Sequence, residues 1–145
     1  MISTKTGASI SMINTYIKDL SFENPKAPLI YSNNAKSPKI ETSININAVV
    51  LQKDIYEIEL VICIKAHDDK GIVFILELSH AGIFEIKNIS ESLLDETLFV
   101  DCPYLLFPFS RSIISSVVVN ANFPSLVLDY IDFDELYKNR DRDNK

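Results

Sequence analysis

The chain has 145 residues, a length that suits one domain able to bury most of the apolar surface its unfolded form exposes. Its 47% hydrophobic content and only three glycines argue against a disordered or low-complexity chain, and they support a core without disulfides. The formal charge of −6 repels phosphate backbones, which argues against nucleic acid as a partner and favours a basic protein or peptide.

Residues 1–13 are polar, small and unpatterned, and are expected to form a flexible arm. They hold no continuous apolar stretch of the kind a signal peptide needs. No apolar run reaches the roughly 20 residues that span a bilayer, so stable membrane insertion is not expected and a soluble, cytoplasmic chain is. From Asn14 to Glu23 the pattern alternates: Tyr16, Leu20 and Phe22 fall on even numbers, Asp19, Ser21 and Glu23 on odd ones. That predicts a strand with one buried face. Pro25 and Pro28 predict an extended turn, and SNNAKSP at 32–38 a second loop.

In KIETSININAVVL, Ile40, Ile44, Ile46, Ala48 and Val50 share one face, and Glu41, Ser43, Asn45 and Asn47 the other. QKD turns the chain into IYEIELVICIKAH, with Tyr56, Ile58, Leu60, Ile62 and Ile64 inward and Glu57 and Glu59 outward. DDKG predicts a hairpin connection ending on Gly71, and IVFILELSH then places Phe74, Leu76 and Leu78 inward and Glu77 and Ser79 outward. Four strands with short links predict an antiparallel sheet. Its odd-numbered face carries Asp19, Glu23, Glu41, Glu57, Glu59 and Glu77. It is either an ordinary solvated face or a docking face.

After Ser90 the period changes. SESLLDETLF predicts a short helix with Ser90 as N-cap, ended by Pro103. A long helix is expected from about Leu105 to Asn120, with Pro108 tolerated near its first turn. On it, Phe107, Ile114, Val118 and Ala121 make one stripe, and Phe109, Ile113, Ser116 and Val117 make another. A helix apolar on two faces must be buried on both. The sheet supplies one partner and its other face is acidic, so a second copy of the chain is the remaining one. NFPSLVLDYIDF reads as an apolar loop that either packs on the sheet or walls a groove. Asp132 and Glu135 have capping-box spacing for a last helix beginning near Asp134. The charged residues 138–145 are expected to fray. The fold class is therefore α+β: a four-stranded antiparallel sheet with a long helix and a shorter C-terminal helix packed on one face.

Catalytic chemistry finds little support. His67 and His80 are the only histidines, and neither joins Cys63 or Cys102 in a ligand set. The cysteines read as two small hydrophobes rather than a disulfide. Three glycines build no phosphate loop, and neither a GxSxG elbow nor an HExxH helix is present. No catalytic residue, metal or cofactor is expected.

Several ordered blocks resemble the SecB family of protein-export chaperones: YIKDLSFENPKAP at 16–28, then DIYEIELVI, FILELSHAGIFEI, CPYLLFPFSR, NFPSLVL and IDFDELY. The likeness spans about residues 14–137, which would form the chaperone domain. The resemblance implies a homotetramer, a dimer of dimers with helices sandwiched between sheets. It implies binding of unfolded precursor proteins without ATP and delivery to the SecA motor ATPase. It places SecA docking, through a basic zinc-bearing tail, at Asp19, Glu23, Ile75 and Glu77. Client binding is expected at Phe123, Leu126, Leu128, Phe133 and Tyr137, and the oligomer interface at Phe107, Phe109, Ile113, Ile114, Val117 and Val118. The chain departs from the family pattern in FSRS at 109–112, in Ala121 where a helix-ending glycine is common, near AKSPK, and in its charged tail. Asn120 or Asn122 is expected to end the helix in place of that glycine. Two other readings stand beside export: a chaperone dedicated to one client such as an antitoxin, and a small-molecule-binding sheet-and-helix domain.

Overall fold

The structure, a computed structural model, describes residues 2–3, 7–32, 37–126 and 128–143. Parts of the expected arm (1, 4–6), second loop (33–36) and tail (144–145) lie outside the described residues. Strand β1 (Ile2–Ser3) is a two-residue addition to four long strands: β2 (Ser9–Glu23), β3 (Lys39–Gln52), β4 (Ile55–Asp68) and β5 (Gly71–Lys87). All neighbours are antiparallel, in the order β1-β2-β5-β4-β3.

The first long strand thus begins at Ser9, five residues before the expected Asn14. Ile10 and Met12 face Ile86 and Phe84 across the pair, and this burial draws the earlier residues into the sheet. The tight links follow the chemistry of their residues. Asp54 and Gly71 adopt positive φ at the two hairpins, and Lys26 Nζ meets Asp68 Oδ1 at 2.8 Å, tying the Pro-rich turn to the second hairpin.

The helical half differs from expectation at Pro103. Helix α1 (Glu91–Glu96) runs through a π-helical turn (Thr97–Asp101) into α2 (Cys102–Asn120) without a break. The backbone N–H of Cys102 reaches back five residues to the carbonyl of Thr97. The wider turn puts Pro103 at a helix start, where its missing N–H and its ring are tolerated. The continuous 30-residue helix is long and apolar enough, by length and composition, to cross a membrane. Here one of its faces packs on the sheet. Ser90 caps α1 with its carbonyl, which accepts from Leu93 and Leu94; its hydroxyl makes no cap bond. At the other end Asn122 takes φ 63°, with Phe123 N–H bonding Val118 O and Asn122 N–H bonding Val119 O. That Schellman pattern is what a glycine would supply, and asparagine serves in its place.

Helix α3 (Phe133–Asp143) starts as its spacing predicts: Glu135 N–H donates to Asp132 Oδ1 at 3.1 Å. It continues well into the expected tail. The core lies between the even-numbered face of the sheet and α2, with Leu106, Phe107, Ile114 and Val118 laid over Ile58, Leu60, Leu78 and Phe84. Gly82 lets them approach, because a Cβ there would meet the Phe84 ring at 2.9 Å and Leu106 at 3.4 Å. His80 is buried at this layer and shares a 2.7 Å hydrogen bond with Ser110 Oγ. Burial pushes its imidazole below the ordinary histidine value. His67, at the strand end, pairs with Glu41 at 3.2 Å. Both cysteines are free; Cys102 is buried, which pushes its thiol far up, and Cys63 is half-buried.

Candidate functional site

Three surfaces can do chemistry of recognition. The first is the outer, odd-numbered face of the sheet. Asp19 and Glu23 on β2 and Ile75 and Glu77 on β5 all lie on it, and the two strands are direct neighbours. Asp19 stands opposite Ser79, Ser21 opposite Glu77, and Glu23 opposite Ile75. Glu77 is therefore flanked diagonally by both β2 carboxylates, a spacing of about 7–8 Å that lets like charges share a face without meeting head-on. All three carboxylates are exposed.

Alternation misassigned Tyr16. It was expected inward with Leu20 and Phe22, yet it lies on the outer face and donates its hydroxyl to Glu57. The cause is a pair of bulges in β2, between Met12 and Asn14 and between Ile17 and Asp19, each of which shifts the register by one residue and flips the parity. Two flips restore Asp19 and Glu23 to the outer face. Glu57 and Glu59 face outward as expected but are not open acidic surface. Lys18 Nζ sits 3.0 Å from Glu57 Oε1 and 3.6 Å from Glu59 Oε2. Ser79 and Asn47 also donate to Glu59. These donors hold both carboxyls below the usual range, for Glu57 chiefly through Tyr16 and for Glu59 chiefly through Ser79. Burial, and the carboxylate it donates to, push Tyr16 up to about 12.

The second surface is the uncovered side of α2. Phe109 is 50% exposed, and Ile113 and Val117 are half-buried along the same side. A separate open groove of about 510 Å³ runs along another face of α2, lined by Pro108, Arg111, Ser112, Ser115, Ser116, Val119 and Leu126. The second apolar stripe read from the sequence is thus only partly covered within one chain: Phe109 and Ser116 are exposed, while Ile113 and Val117 pack against the core. Three residues expected at an oligomer interface are not on it: Phe107, Ile114 and Val118 are buried in the chain's own core, because their stripe is the one that meets the sheet.

The third surface is a groove of about 560 Å³ between the edge strand β3 and α3, with Ile44, Ile46, Phe99, Leu136, Tyr137 and Arg140 among its lining residues. Phe99 stacks on Tyr137 at 6.4 Å between ring centres, Arg140 lies 3.9 Å over the Phe99 ring, and Tyr137 donates to Asp95 at 2.9 Å. Of the residues expected to bind clients, Tyr137 lines this groove and Leu126 lines the one along α2. Phe123 stacks between Phe74 and Tyr31. Leu128 and Phe133 are core: Phe133 is fully buried, edge-on to Tyr104 and Phe107. The segment packs down because α3 turns Phe133 under itself. Ile44, Ile46, Phe99 and Leu136 went unnoticed as groove residues. For Ile44 and Ile46 the signal is the apolar face of a strand at the sheet edge, which only the strand order reveals; Phe99 and Leu136 join them from the π-helical turn and α3.

A family model described as preprotein translocase subunit SecB matches residues 3–144. The chain belongs to the SecB family. The match starts earlier and ends later than the sequence blocks, in keeping with the early start of β2 and the length of α3. Protein-export protein SecB of Bartonella bacilliformis is 44% identical over 130 residues, covering 90% of this chain and 82% of its own length. That of Zymomonas mobilis is 42% identical over 128 residues, covering 88% and 77%. A solved SecB-like chaperone of Mycobacterium tuberculosis, in complex with a peptide from an antitoxin, shares the fold with a TM-score of 0.70 at 11% identity, covering 85% of this chain and 91% of its own. SecB is a chaperone family concerned with protein export, not an enzyme family. Among the described residues no group of histidine, cysteine and carboxylate side chains could hold a metal.

Proposed function

We propose that this chain is a cytoplasmic export chaperone that holds unfolded precursor proteins and hands them to SecA. The observation that supports this reading is the apolar surface left open on a single chain, at Phe109 on α2 and along the two grooves. In this reading the Phe109, Ile113 and Val117 side of α2 meets other copies in a homotetramer. Client leucine and aromatic side chains enter the grooves bordered by Leu126, Leu136 and Tyr137. Each buried anchor contributes about 1.5–3 kcal/mol before ordering costs, so one segment binds weakly and several linked sites bind well. Weak single contacts also permit release.

SecA would dock through Asp19, Glu23, Ile75 and Glu77. Assembly multiplies the −6 charge of each chain, which speeds encounter with a basic tail. The relatives named for protein export at over 40% identity favour general export over a role dedicated to an antitoxin, since the antitoxin-bound neighbour shares 11% identity and the fold alone. Solution mass by light scattering, with capture of an unfolded precursor in the same sample, tests the reading. A tetramer that suppresses precursor aggregation is expected; a monomer, or no capture, overturns it. For the dock, calorimetry with the SecA tail should show affinity falling steeply between about 0.1 M and about 1 M salt.

A further inference from the structure

We infer that Tyr16 and Lys18 are positioning residues that set the slide of β2 along β5, and through it the spacing of Asp19 and Glu23 about Glu77. This rests on the reading of that carboxylate face as the dock. The first pairs of the two strands, Ser9 with Lys87 and Met12 with Phe84, fix one register. Carried through unchanged, that register would set Asp19 directly opposite Glu77 and Glu23 opposite Val73. The two bulges together slide β2 by two residues, the smallest slide that keeps the inside–outside pattern intact. Leu20 and Phe22 face the core in either register, so beyond the second bulge apolar burial does not choose between them; between the bulges the unchanged register would turn Asn14 and Tyr16 inward and Ile17 outward. The charges favour the observed register as well: head-on carboxylates are disfavoured, and it separates them.

The bulged stretch is held by its polar side chains. Tyr16 and Lys18 reach across β5 to Glu57 and Glu59 on β4, spanning three strands. Ala81, which stands between Tyr16 and Glu59 on this outer face, is fully buried beneath that roof although half the sheet's outer residues are wet. A larger residue there would lift the cross-strand bonds. Lys18 has no partner opposite it on β5; its backbone is the extra residue of the second bulge. Its ammonium bridges both glutamates, so the residue that breaks the ladder is itself tied across it.

The test separates geometry from charge. Tyr16→Phe changes no charge and removes the donor to Glu57. Lys18→Gln makes the face more acidic, so simple attraction predicts tighter binding of a basic peptide, whereas lost positioning predicts weaker. Full-length variants are titrated with the isolated zinc-loaded SecA tail. Both substitutions are expected to weaken binding about threefold or more, with Lys18→Arg close to wild type. Tighter binding by Lys18→Gln, or no change in Tyr16→Phe, overturns the inference. Glu77→Lys in the same series reports on the dock itself. Register is read independently of any partner by proton–proton contacts across β2 and β5 in NMR spectra. Contacts between Ser21 and Glu77 are expected to fade in the Tyr16→Phe, Lys18→Gln double variant, with new ones between Asp19 and Glu77. If the Ser21 contacts persist at full strength, Tyr16 and Lys18 do not set the slide, whatever the tail does.

Discussion

His80 Nδ1 on β5 lies 2.7 Å from Ser110 Oγ on α2, both side chains buried where helix meets sheet. The pair gives each a partner away from water. Burial holds the imidazole neutral, below the ordinary value of 6.5. The unfolded chain therefore takes up a proton that the folded chain refuses. Stability is full above about pH 6.5 and falls as the pH drops below it. A melting temperature that declines as the pH falls below about 6.5, and a flatter profile for His80→Gln, are expected in calorimetry. Glu57 and Glu59, held below their ordinary 4.5, contribute stability lost only at lower pH, so the two effects are separable. Ser110→Ala leaves the ring nitrogen unpartnered and should cost about 1–3 kcal/mol.

Two apolar residues of α2 should behave in opposite ways. Ile114 is 0% exposed within one chain, whereas Phe109 is 50% exposed. Ile114→Asp puts an unpaired charge into the core and is expected to destabilise the fold by more than about 3 kcal/mol. Phe109→Asp should leave the single chain folded and lower its solution mass. Light scattering and thermal melts on the two variants check this; an assembled Phe109→Asp protein would remove α2 from the interface.

Gly82→Ala should lower stability without touching any outer surface. Its Cβ would press on the Phe84 ring and on Leu106, both in the core. Overpacking of this kind typically costs about 1–3 kcal/mol, measured by urea unfolding.

Leu126 and Phe133 divide client binding from folding. Phe133→Ala removes a fully buried ring in contact with Tyr104 and Phe107 and should cost about 3–5 kcal/mol. Leu126→Ser should melt within about 1 kcal/mol of wild type, because its side chain is only half-buried at a groove wall, while capture of an unfolded precursor weakens. Unchanged capture by the folded Leu126→Ser protein would remove that wall from the client site.

Local periodicity was enough to settle much of this protein. The strands over Ile40–Val50, Tyr56–Ile64 and Phe74–Leu78 have their inner and outer faces where alternation puts them, because period two is a property of the backbone itself. The helix carrying Phe107 and Ile114 had two apolar stripes by its own spacing, and Asp132 capped the last helix by its own side chain. What needed the tertiary structure was every feature set by a neighbour in space. Tyr16 faces outward because two bulges answer to residues on β5 and β4, and no alternation within β2 reveals them. Pro103 continues a helix because the turn before it widens. Leu128 and Phe133 are core rather than groove because α3 folds back over Tyr104, a contact between residues 29 apart that composition does not encode. The sequence by itself determined which residues are apolar and at what period; the packing of strand on strand and helix on sheet decided which of them met each other and which were left for a partner.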